Sequence, residues 1–205
     1  MYEGERFNSI SHLLGLAAAF AGTACLIVNA AQQGDPWKVV SFSIYGTSLI
    51  LLYLFSTLYH SLRHTAKAIF RRLDHLAIYV LIAGTYTPFT LVTLKGAWGW
   101  WVFGLVWSLA GLGMVLEMLI PKGRSIASMA IYVVMGWLIV VALDPLLRSL
   151  PTAGFFWLLL GGLFYTSGLF FYGLGKKVSH YHGIWHLFVI SGGISHYITI
   201  YVYIA

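Results

Sequence analysis

His182 and His186 stand four residues apart in the stretch His182-Gly183-Ile184-Trp185-His186. On a helix that spacing stacks two imidazoles on one face, one turn apart. Neutral imidazole is the commonest side-chain metal ligand, so a helical His-x-x-x-His pair is half of a metal site. Ser56 and His60 share the same spacing earlier in the chain, and Asp74 follows a short basic stretch. Three histidines and a water suit zinc and leave one position open for chemistry. Zinc brings the pKa of such a water to about 7 and polarises carbonyls. Asp74 is the candidate to orient or deprotonate the water, and Ser56 to hydrogen-bond Asp74, the water or an oxyanion. Each residue also has a plainer reading. The histidines can sit in the headgroup zone, Asp74 can favour a helix N-terminus beside Arg71 and Arg72, and Ser56 can simply pack.

These residues are far apart in sequence, so a scaffold must bring them together. The chain has 205 residues, of which 60% are hydrophobic and only 9% charged. Long apolar runs broken by short polar connections imply an all-α integral membrane protein. Seven transmembrane helices can be drawn, over about 8–31, 37–60, 73–94, 97–120, 125–143, 153–174 and 180–205, each near the ~20 residues needed to cross the hydrocarbon. No repeat, linker or low-complexity stretch divides them, so residues 1–205 read as a single domain. The first apolar segment is long enough to be a mature span rather than a cleaved signal. Cys25 is the only cysteine, which excludes an intramolecular disulfide and a cysteine zinc cluster, and it reads as a packing residue. Pro88 predicts a kink in the third span.

The net charge of +6 matters less than its placement. Arg6, Arg63, Lys67, Arg71, Arg72, Lys122, Arg124, Lys176 and Lys177 fall on one side of the drawn topology, and only Lys38, Lys95 and Arg148 on the other. That bias predicts a cytoplasmic N-terminus and a C-terminus on the opposite face. It reflects topology and not a nucleic-acid partner. In this frame the second span ends, and the third and seventh begin, at the inner interface. His60, Asp74, His182 and His186 therefore share a depth, where ionisable groups are costly and mark function or pair with one another.

Other polar residues have their own readings. His12 lies one turn into the first span and belongs to a capping neighbourhood with Asn8 and Ser9, or lines the site as a fourth ligand. His196 lies about 15 Å along the helix from His186, too far to share an ion, and reads as a satisfied interhelical histidine. His64, His75 and His180 read as solvated in or beside basic loops. Glu117 snorkels or pairs with a loop cation, and Asp144 and Arg148 are outer-loop residues. Trp37, Trp98 and Trp185 read as interface anchors.

The residues together resemble the hemolysin III family, which is part of the wider progestin and adiponectin receptor group and is related to the alkaline ceramidases. The matching stretches are Glu5-x-x-Asn8-Ser9-x-Ser11-His12, Ser56-Thr57-Leu58-Tyr59-His60, Leu73-Asp74-His75 through Ile78-Tyr79, Leu81 to Phe89, and His182-x-x-Trp185-His186 with His196. They cover essentially the whole chain. The resemblance implies seven helices with a zinc ion near the cytoplasmic side. It carries the zinc ligands onto His60, His182 and His186, the aspartate that contacts the water onto Asp74, and the serine one turn before the first ligand onto Ser56. It further implies a bacterial inner-membrane protein without the long cytoplasmic N-terminal domain of the animal receptors.

Three functions follow as expectations. The first is a zinc-dependent hydrolase of a lipid amide or ester, with membrane lipid as substrate or ligand. The second is a membrane-state sensor in which zinc ties helices together without turnover. The third is a cytolytic pore, which should show a polar face along a whole helix; these spans do not.

Overall fold

The computed structural model describes residues 4–119, 126–175 and 180–205. Among the described residues every regular element is helical. The helices are α1 (Arg6–Gln33), α2 (Pro36–Ser61), α3 (His64–Pro88), α4 (Gly96–Leu119), α5 (Ile126–Gly136), α6 (Leu143–Ser149), α7 (Thr152–Leu174) and α8 (Tyr181–Tyr203). A π turn, Phe89–Leu94, continues α3, and a 3-10 turn, Leu138–Ala142, joins α5 to α6. The expected basic connections at Pro121–Arg124 and Lys176–Lys177 lie outside the described residues.

Six segments are long and apolar enough to cross a membrane: α1, α2, α3 with its π turn, α4, α5 through α6, and α7. The expected seventh helix forms as α8, whose 23 residues extend about 35 Å. His182, His186, His196 and several glycines and serines lower its apolarity, and it does not join the six.

Local chemistry explains most boundaries. Gly34 closes α1 in the left-handed conformation, with φ of 69°. Asp35 then caps α2 by accepting from the Trp37 and Lys38 backbone N–H groups, and Pro36 takes the first helical position, where no N–H is needed. The third helix corrects the sequence expectation. It starts at His64, not near residue 73, because 64–72 contains helix formers and neither glycine nor proline. The basic stretch forms the first charged turns of α3 rather than a loop. At Pro88 the expected kink takes the form of a change from α to π winding, in which Lys95 N–H reaches the Thr90 carbonyl at 3.2 Å.

The fifth span also runs past its expected end. α6 carries Asp144 and Pro145 in its first turn, where proline is tolerated. Asp144 and Arg148 are thus a helical i,i+4 pair at 3.0 Å and not loop residues. Cys25 is exposed on α1 rather than packed.

α3 is the central element, with 72% of its most apolar window buried against 17–22% for α1, α4, α5–α6 and α7. It packs on α2, α4 and α5, while α1 packs on α2 and α8, and α7 on α8. Contacts between α5 and α7 complete the ring. This order brings the end of α2 and the start of α8 to one place.

Candidate metal centre

His60 lies at the last turn of α2 and His186 at the second turn of α8, and each is only 1% exposed. His182 sits one turn before His186, just after His180, which precedes α8 in the left-handed conformation with φ of 72°. The Nε2 atom of His182 is 3.2 Å from Nε2 of His60 and 3.3 Å from Nε2 of His186. Zinc–nitrogen bonds of about 2.0–2.1 Å at tetrahedral angles separate two nitrogens by about 3.3–3.4 Å. Two edges of the histidine triangle therefore already have the length that a tetrahedral ion requires. All three ligand atoms lie within 4.8 Å of one another, and neither Asp74 nor His12 belongs to that group. Three converging imidazole nitrogens form a donor set that suits a borderline cation such as zinc.

Asp74 and Ser56 flank the triangle. Ser56 is buried on α2, one turn before His60. Asp74 is on the third turn of α3. Both residues line a cavity that also touches His182 and His186. The cavity encloses about 970 Å³, counting its open mouth, and runs between α3, α5, α7 and α8 as far as His196. Its walls are mainly apolar, with Leu81, Ile82, Trp137, Leu169 and Val189 among them. The site is thus a polar end of an apolar crevice, a form common to small-molecule sites.

The sequence reading missed the residues behind the histidines. Glu5 Oε2 meets His60 Nδ1 at 2.5 Å, while Lys67 Nζ reaches Glu5 Oε1 at 2.8 Å. Asn8 Nδ2 donates to Glu5 Oε2 at 3.0 Å, and the Asn8 carbonyl lies 3.1 Å from His186 Nδ1. Burial pushes the Glu5 carboxyl up, but hydrogen bonds from His60 and Lys67 outweigh it and hold the group well below the usual carboxylate range. Glu5 and Asn8 stand in the motif that carries the family resemblance, which was the one signal available for them.

His12 is placed differently from its capping role. Its ring stacks on His186 with centroids 3.8 Å apart, and it lines the cavity. Neither of its nitrogens has a hydrogen-bond partner. His196 is interhelical as expected, its Nε2 donating to the Leu158 carbonyl at 3.1 Å, but it is only half satisfied, because its buried Nδ1 has no partner. His75 is not solvated: its Nδ1 is 3.0 Å from Glu117 Oε1, and Ser128 donates to the other Glu117 oxygen. Among the described residues Glu117 thus pairs with a histidine of α3, while the cations of the following loop lie outside them. Trp37 and Trp98 are exposed, each at 49%, but Trp185 packs on α7 beside Gly168 and lines the cavity.

Comparison with known proteins bears on the same arrangement. Residues 1–197 match the family model described as "Haemolysin-III related". The chain is 45% identical to the "Hemolysin-3 homolog" of Bacillus subtilis (strain 168) over 200 residues, covering 97% of this chain and 93% of that protein. It is 42% identical to "Hemolysin-3" of Bacillus cereus over 201 residues, covering 98% and 91%. A more distant relative is the human "Monocyte to macrophage differentiation factor", 27% identical over 206 residues, covering 96% and 83%.

Proposed function

The chain belongs to the haemolysin-III family, an integral membrane protein with a histidine cluster fit for a metal ion, and from that premise we propose that it is a zinc-dependent hydrolase of a membrane-lipid amide or ester. The observation that carries the reading is that His182 and His186 of the triangle, with Asp74 and Ser56, line one mainly apolar crevice. An acyl chain in that crevice would present its carbonyl at the polar end. Bound zinc supplies a Lewis acid there.

The chain's own residues would do the rest. Asp74 takes a proton from the water that attacks the acyl carbon. It returns that proton to the departing nitrogen or oxygen as the C–N or C–O bond breaks, so the products are a fatty acid and an amine or alcohol. Ser56, which lines the same cavity as Asp74, is the hydroxyl placed to orient that base or the water. The mainly apolar walls seat the chain and limit water.

The same reading makes α8 a seventh span. It puts the N-terminus and the histidines at the cytoplasmic side of a bacterial inner membrane. The Lys/Arg bias supports that orientation, with nine basic residues on one side and three on the other.

The test is lipid hydrolysis by purified protein, wild type against Asp74→Asn. Loss of an acid–base group predicts a fall of about 10²–10⁴-fold in turnover with zinc retained. Unchanged hydrolysis by the variant would contradict the role of Asp74. A wild type that binds zinc but cleaves no amide or ester lipid would favour the second reading, a sensor in which the metal ties α2 to α8. That reading draws on the fact that the triangle joins those two helices.

A further inference from the structure

The histidines are held from behind, and the holding groups come from one turn of chain at the start of α1. Glu5 Oε2 meets His60 Nδ1 at 2.5 Å, and the Asn8 carbonyl oxygen meets His186 Nδ1 at 3.1 Å. A carboxylate and a backbone carbonyl only accept hydrogen bonds. Each contact therefore places the proton on Nδ1 and leaves Nε2 bare in the neutral ring. Nε2 is the atom that both rings turn toward His182. Glu5 is itself fixed by Lys67 and by Asn8 Nδ2.

We propose that this N-terminal turn is a positioning clamp for the metal: Glu5, backed by Lys67, sets the tautomer and basicity of His60, the Asn8 carbonyl sets those of His186, and docking of α1 is thereby coupled to metal binding. The proposal rests on the metal reading of the three histidines. Outer groups of this kind orient ligand rings and make them better donors. Coupling is reciprocal, so a bound ion also tightens the docked turn.

An internal control lies beside the clamp. Ser9 Oγ and Ser61 Oγ are 2.6 Å apart and join the same two helices without touching a ligand histidine. Loosening the α1–α2 contact can thus be separated from releasing the ligands.

The experiment is a zinc titration of full-length protein in detergent against a competing chelator, for wild type, Glu5→Ala, Glu5→Gln and Ser9→Ala. Thermal unfolding of each is followed with and without zinc. Glu5→Ala should bind zinc about 10–100-fold more weakly, and Glu5→Gln, which keeps an acceptor but not the charge, should fall between it and wild type. Ser9→Ala should stay within about twofold of wild type. The zinc-dependent rise in Tm should shrink in Glu5→Ala more than in Ser9→Ala. Should Glu5→Ala not fold, Glu5→Gln carries the comparison. The clamp is overturned if both Glu5 variants bind within about twofold of wild type, or if Ser9→Ala loses as much affinity as they do. A wild type that takes up no zinc overturns the metal reading itself, and the clamp with it.

Discussion

At the scale of single residues, His12 is the sharpest test of what belongs to the centre. Its ring is buried and stacked on His186, yet both nitrogens lack partners. An unsatisfied buried polar atom costs about 1–3 kcal/mol. His12→Phe keeps a flat ring for the stack and removes those atoms. Zinc content should therefore be unchanged, and Tm should hold or rise; a variant stripped of zinc would make His12 a ligand instead. The three histidines were legible from helical spacing together with charge bias, because both act locally. Glu5 was not: it lies 55 residues from His60, and their contact depends on how α1 docks on α2. The unusual pairing of His75 with Glu117 was hidden in the same way, being 42 residues apart.

At the scale of elements, the helices were readable and their interruptions were not. Apolar runs give length, but hydropathy does not register a broken hydrogen-bond ladder. The fifth span breaks at Trp137, and a side chain from α3 repairs it. The Tyr86 hydroxyl donates to the Gly136 carbonyl at 3.0 Å and accepts from the Ile139 N–H at 2.9 Å. Tyr86→Phe leaves both backbone groups unpaired in apolar surroundings and should cost about 2 kcal/mol, read as a fall in Tm with zinc content retained. No loss of stability would mean that other groups satisfy the break. Close helix approach is a second element-scale feature. A Cβ on Gly84 of α3 would come within 2.3 Å of Ser48 Oγ on α2. Gly84→Ala should therefore destabilise by about 1–3 kcal/mol through overpacking. A Tm equal to that of wild type would show that α2 and α3 can part at no cost. The polar start of α8 was legible as ligands, but the same residues keep it out of the set of strongly apolar helices.

At the scale of the molecule, α2 and α8 enter the site from different parts of the chain, and the histidine triangle is what joins their ends. An ion bound there links the first part of the bundle, α1 to α3, to the last, α7 and α8. Binding to the folded state alone stabilises it by about 4 kcal/mol at a thousandfold excess over Kd. Zinc removal should accordingly lower Tm, and re-addition should restore it. The most direct measurement is the metal content of protein purified without chelators, for wild type and for His182→Ala with His186→Ala. The account predicts about one zinc per wild-type chain and none in the double variant. A wild-type chain with no bound metal, or a double variant that keeps its zinc, would contradict it.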